Sequence, residues 1–191
     1  DDWLMGITHV IRADEHLSNT PRQMMLYRAL GAPLPKFAHV PMILAPDRSK
    51  LSKRHGAQTV EEFRDKGYLP EAIVNYIALL GWTPPDATQE FMTLEEMIEL
   101  FDLSRVSSTA AVYDVQKLTW MNGQYIKRLD PEDLMERVIP FVEAAGLATR
   151  QELEARKDWF RQAVITMQER AKTLEELAHY MAFYFKPPET Y

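Results

Sequence analysis

Apolar residues crowd positions 4–11 (Leu4, Met5, Ile7, Val10, Ile11), and their number and partial β-branching predict a buried strand. Ser18 or Asn19 then stands where a helix N-cap belongs. Pro21 falls in the first turn, and Met24, Met25, Leu26, Ala29 and Leu30 follow before Gly31 ends the segment. Residues 37–44 read as a second strand, with Pro41 marking an edge or an irregular end, because proline cannot donate to a ladder. Strand, helix and strand in so short a span make one βαβ unit of a parallel sheet.

From residue 59 onward the pattern is helical. Thr59, Thr93 and Thr173 are each followed three residues later by a glutamate, which predicts three capping boxes, and Gly67 and Gly81 sit where C-caps belong. Asp114 can open a helix carrying Val115, Leu118, Trp120 and Met121. Asp130-Pro131 opens another, with Leu134, Val138, Phe141 and Val142 facing inward, Pro140 kinking it and Gly146 closing it. Thr149 starts a helix through Leu153, and Asp158 restarts it before Trp159-Phe160. The Met-rich and aromatic stripes read as core, since methionine fills irregular gaps between helices. The fold class is therefore α/β followed by mostly α, divided at residues 1–58, 59–129 and 130–191.

Composition narrows this picture. With no cysteine, disulfides, thiolate metal sites and cysteine nucleophiles are excluded, which fits a cytoplasmic location. No apolar run approaches the roughly 18 residues of a membrane span, and Asp1-Asp2-Trp3 is unlike a basic signal peptide. So abrupt a start reads as a piece of a longer protein. The net charge of -6 argues against a general nucleic-acid coat, while leaving room for one positive face.

Against that acidic background, residues 47–56 concentrate Arg48, Lys50, Lys53, Arg54 and His55. Lysine offers a phosphate a point charge and arginine a rigid fork. The segment follows the second strand at its carboxyl end, where open α/β sheets hold their ligands. A solvated basic loop is the plainer reading of the same residues. Arg12, at the end of the first strand, also has two readings. It can pair internally with Asp14 or Glu15, or it can present its fork to a carboxylate ligand.

The flanks bear on this choice. Upstream lies Leu4-Met5-Gly6-Ile7-Thr8-His9-Val10-Ile11-Arg12-Ala13-Asp14-Glu15-His16-Leu17-Ser18-Asn19-Thr20-Pro21-Arg22-Gln23; downstream lie Gly67-Tyr68-Leu69-Pro70-Glu71-Ala72, Asn75-Tyr76 and Leu80-Gly81-Trp82. In order and spacing these blocks resemble the bacterial glutamyl-tRNA synthetase family of class I aminoacyl-tRNA synthetases, strongly to about residue 129 and more loosely beyond. Lys50-Leu51-Ser52-Lys53-Arg54 corresponds to that family's KMSKS loop.

The resemblance implies the C-terminal half of a Rossmann-like catalytic domain (1–58), a helical stem-contact domain (59–129) and the beginning of a helical anticodon-binding domain (130–191). It implies ATP-dependent activation of glutamate and transfer to the 3′ end of tRNA(Glu). Lys53 would be the principal catalytic cation, supported by Lys50 and Arg54, with Ser52 either bonding phosphate or shaping the turn. Arg12 would bind glutamate. Glu15 and His16 would border the ATP site, and the Met42-Ile43 backbone would read adenine. Ala13 stands where many members carry glycine. Lys117, Lys127 and Arg128 could touch the tRNA stem, although a solvated face explains them equally. His9 and His39 read as packed strand residues, and His55 as a loop residue. ATP would enter with Mg2+ as a substrate complex, with no protein-bound metal, no membrane partner and a monomeric state. The family's HIGH-type motif occurs nowhere in the chain, so half the active site is expected to be absent. A non-catalytic tRNA-binding module is the alternative. A glutaminyl-tRNA synthetase relative is disfavoured by the helices past Asp130.

Overall fold

The computed structural model describes residues 1–51 and 59–186. The chain divides into two compact units that interleave along the sequence, Asp1–His55 with Ile77–Tyr113, and Gly56–Tyr76 with Asp114–Tyr191.

In the first unit, strand β1 (His9–Ala13) and strand β2 (Lys36–Val40) pair in parallel, joined by helix α1 (Thr20–Ala29). The register runs from His9 opposite Lys36 to Ala13 opposite Val40, which sets Arg12 beside His39. The expected βαβ unit is present, with shifted edges. β1 starts five residues later than the apolar run, because residues 1–7 fold into turns in which Met5 N–H donates to the Asp1 carbonyl and Gly6 takes φ +69°. Leu4 and Met5 are consequently 85% and 74% exposed rather than buried. β2 ends at Val40, since Pro41 has no N–H to continue the ladder. Met25 and Leu26 on α1, and Leu30 just after it, face outward. The small core of this unit is Trp82, Met92 and Met97, with Leu79, Leu100 and Val106 packed around it and helix α4 (Leu94–Leu100) alongside.

The second unit is helical: α2 (Val60–Asp65), most of α3 (Pro70–Leu79), α5 (Val115–Arg128), α6 (Pro131–Ala144), α7 (Arg150–Ala155), α8 (Lys157–Gln168) and α9 (Leu174–Phe185). Its core joins Leu69, Ile126, Leu134, Val138, Val142, Phe160, Val164, Leu177 and Met181. α6 runs through Pro140 without a break. Two buried amides tie the helices together. Asn122 accepts from the Leu69 N–H (2.8 Å) and donates to the Lys172 carbonyl (2.6 Å). Gln168 donates to the Ile126 and Leu129 carbonyls, satisfying the C-terminal end of α5.

The capping boxes at Thr59 and Thr93 form as expected, and Thr149 with Glu152 makes another. At Thr173 only half of the box forms. The hydroxyl accepts from Glu176 N–H, but the Glu176 carboxylate takes the Lys172 N–H instead. Gly146 ends α6 at φ +62°, whereas Gly81 follows α3 without a left-handed backbone. Gly67 combines two demands. Its φ is +75°, and an added Cβ would stand 2.6 Å from Leu174 Cβ and 2.7 Å from the Leu174 nitrogen. That nitrogen donates to the Gly67 carbonyl as α9 begins. Gly67→Ala must therefore adopt a disfavoured backbone and displace the start of α9. We expect it to destabilise the second unit by about 3 kcal/mol, read as a lowered urea midpoint; an unchanged midpoint would show that the contact relaxes freely.

Candidate active site

The carboxyl end of β1 delivers three of the expected site residues in succession. Arg12 is half-buried in the strand, and Glu15 and His16 follow in a 3-10 turn (Asp14–Asn19). Thr20, buried, begins α1 directly after that turn. Because Arg12 and His39 are register partners, their side chains emerge on the same face of the strand pair.

The three side chains close into a ring. Arg12 Nη2 donates to Thr20 Oγ1 at 2.8 Å, and Arg12 Nε donates to His39 Nε2 at 3.4 Å. Thr20 Oγ1 lies 3.0 Å from the same His39 nitrogen. The arrangement is consistent when His39 Nε2 is bare and accepts from both, with the ring proton on Nδ1. The Arg12 guanidinium also lies over Phe37, 5.7 Å from the ring centre. Among the described residues no carboxylate pairs with Arg12; neither Asp14 nor Glu15 does so.

Glu15 goes elsewhere. Its carboxylate accepts from Lys50 Nζ at 2.6 Å and stands 3.7 Å from His16 Nε2. The hydrogen bond and charge of Lys50 hold the Glu15 carboxyl below its ordinary value. It therefore stays ionised through the neutral range, and the pair is lost only as pH falls through that lowered value. Both side chains are well exposed, so the pair orients Lys50 more than it stabilises the fold.

Lys50 reaches Glu15 because the chain before it is tightly turned. Leu44 bridges Lys50 on one side and Val112 on the other. Between them Asp47 accepts from the Ser49 N–H and hydroxyl, an Asx turn that leaves Arg48 at φ +63°. Ser52, Lys53, Arg54 and His55, on which the phosphate reading depends, lie outside the described residues. Ile43 helps line an apolar cleft of about 200 Å³ with Val40, Pro41, Ile77 and Trp82; Met42 beside it is half-buried.

His9 is exposed and bonds Thr8, so it is not a packed strand residue. Thr20 and His39 were absent from the site expected from sequence. Aligning the two short strands in parallel register would have brought His39 to Arg12, but nothing local marks Thr20. In the second unit, Lys127 pairs with Glu169 at 3.3 Å. Among the described residues no three His, Asp or Glu side chains converge on a metal-sized site, and no helix is long and apolar enough to cross a membrane.

A parallel βαβ unit with an arginine near the end of its first strand makes this part of the chain a portion of a Rossmann-type α/β domain. The family model "tRNA synthetases class I (E and Q), catalytic domain" matches residues 1–120, and an "Anticodon binding domain" model matches residues 133–191. The chain belongs to the class I (E and Q) tRNA synthetases. It is 56% identical over 191 residues to glutamate–tRNA ligase 1 of Caldanaerobacter subterraneus subsp. tengcongensis, and 52% identical over 191 residues to glutamate–tRNA ligase of Moorella thermoacetica. Each match covers 100% of this chain and 39% of the relative's length. Among solved structures, the glutamate tRNA ligase of Elizabethkingia meningosepticum in complex with its amino acid superposes with a TM-score of 0.85 at 32% identity. That superposition covers 100% of this chain and 40% of the other.

Proposed function

We propose that this chain is a portion of a glutamate–tRNA ligase, in which Arg12 binds the side-chain carboxylate of glutamate and the basic segment binds the phosphates of ATP. The observation that carries the reading is the Arg12 guanidinium. It is half-buried, oriented by neutral acceptors, and without a carboxylate partner among the described residues, on the strand that leads to Glu15, the partner of Lys50 at the head of the basic segment.

In the reaction, an oxygen of the glutamate α-carboxylate attacks the α-phosphorus of ATP, giving glutamyl-adenylate and releasing pyrophosphate. A ribose hydroxyl at the 3′ end of tRNA(Glu) then attacks the acyl carbon and expels AMP. The first step accumulates negative charge on the phosphates, so positioned cations are its main requirement. Lys53, Lys50 and Arg54 supply them, and Ser52 adds a hydroxyl donor. ATP enters with Mg2+ as the substrate complex. For Lys50 this means exchanging an exposed, weakly held carboxylate, Glu15, for a phosphate. Glu15 and His16 then border the ATP site, and the Met42-Ile43 backbone meets the adenine.

As functional segments we assign residues 1–58 to the catalytic domain, 59–129 to stem contact and 130–191 to the start of anticodon binding. The match of residues 133–191 to an anticodon-binding domain supports the last assignment. The whole enzyme works as a cytoplasmic monomer. Since groups that act as a unit cannot be divided, the 191-residue chain by itself is expected to show no glutamate-dependent ATP–pyrophosphate exchange, even with tRNA added. Measurable exchange by the purified chain would overturn the view that the HIGH-type half of the site is indispensable.

A further inference from the structure

The ring of hydrogen bonds around Arg12 does more than hold a strand end in place. A guanidinium has two edges that can each grip an anion, a side edge made by Nε and Nη2 and an end edge made by Nη1 and the second Nη2 hydrogen. Here the side edge is occupied by His39 Nε2 and Thr20 Oγ1. The end edge has no partner among the described residues. Both occupants are neutral acceptors in this arrangement, so they fix the plane of the guanidinium without neutralising it. A carboxylate at either position would orient the fork equally well and would take the charge that a ligand needs. Phe37, under the guanidinium, restricts it further without supplying an anion.

We propose that Thr20 and His39 are positioning residues for the amino-acid substrate: they clamp the side edge of Arg12 and aim its end edge as a ready two-point receptor for a carboxylate. The proposal rests on the reading of Arg12 as the substrate's partner and names what gives that partner its geometry. The clamp spans all three parts of the βαβ unit, with Arg12 from β1, Thr20 from the start of α1 and His39 from β2. Thr20 also lies 3.5 Å from the His16 carbonyl, at the turn that leads into α1. The geometry is thus a property of the crossover and not of one strand. Pre-aiming a fork in this way removes the ordering cost that a free arginine side chain meets on binding.

The test uses a full-length synthetase carrying this segment, with KM for glutamate, KM for ATP, kcat and the thermal midpoint measured for each variant. Thr20→Val keeps the volume and removes the acceptor; His39→Leu removes the ring nitrogen. Each is expected to raise KM for glutamate by about 10- to 100-fold, the worth of a hydrogen bond to a charged group, with KM for ATP within about threefold of the parent and the midpoint little changed. Thr20→Ser and His39→Gln, which restore an acceptor near the original position, are expected to recover most of the loss. In an Arg12→Ala background, Thr20→Val should have no further effect on KM for glutamate, because a positioning residue has nothing left to position. Full additivity of the two substitutions, or parallel losses of thermal stability and of affinity for both substrates, would overturn the positioning role. An unchanged KM for glutamate in Thr20→Val and His39→Leu, with a large rise in Arg12→Ala, would overturn the clamp and leave the Arg12 reading intact. No change in Arg12→Ala itself would sink that reading and the clamp with it.

Discussion

Replacing Arg12 with alanine in a full-length synthetase carrying this segment is expected to raise KM for glutamate steeply and to erode its preference over glutamine, while KM for ATP moves far less. The physics is that of an unpaired partner. An arginine fork holding the substrate's side-chain carboxylate makes two charge-assisted bonds, whereas the amide of glutamine offers one neutral acceptor and opposes the cation with its own donor. Sites built on a buried polar partner can discriminate by as much as roughly 10⁴-fold, because the wrong ligand leaves a desolvated group unsatisfied. Alanine removes the discriminating element altogether. Arg12→Lys should also be poor: a point charge cannot fill both His39 and Thr20 on one side and a carboxylate on the other. The measurement is kcat/KM for glutamate and for glutamine on folded variant protein. If selectivity survives the alanine substitution while the thermal midpoint collapses, Arg12 is a structural residue of the strand pair and the assignment fails.

Lys53→Ala is expected to slow adenylate formation by about 10²–10³-fold, or about 3–4 kcal/mol in barrier, the usual consequence of deleting one preorganised donor to developing charge. Transfer of the acyl group from preformed adenylate to tRNA should change much less, since pyrophosphate has already left. Single-turnover kinetics separate the two steps. Equal losses in both would mean that Lys53 supports the folding of its segment and not phosphate chemistry. Lys50→Ala in the same assay is a useful companion, because Lys50 already has a protein partner in Glu15 and the substitution removes an interaction on each side.

Much of the helical architecture was legible because it is decided within a few residues. Capping at Thr59 and Thr93 depends on a glutamate three positions ahead, and Asp114 and Asp130 each cap a helix through N–H groups two or three residues on. The chain ends of α2 and α6 follow from Gly67 and Gly146, which alone tolerate the left-handed backbone there. The same local logic misled at Thr173, where a free N–H at Lys172 competed for the same carboxylate. It also misled at residues 4–8, where apolar side chains suggested a strand but backbone turns formed.

By itself the sequence determined the helix starts at Thr59, Thr93, Asp114, Asp130 and Thr149, the βαβ order and the basic segment, since each depends on neighbours along the chain or on residue chemistry alone. It misplaced the start of α8, which begins at Lys157 and not after Asp158. Only the tertiary structure decided which groups meet across long separations. It interleaved the two units, sent Glu15 to Lys50 rather than to Arg12, bound Asn122 to backbone groups 53 and 50 residues away, and closed Thr20 and His39 on Arg12. The physical reason is that every such contact is chosen by strand register and by the packing of whole elements. A side chain with several chemically adequate partners nearby in sequence is committed to one only when those elements are placed.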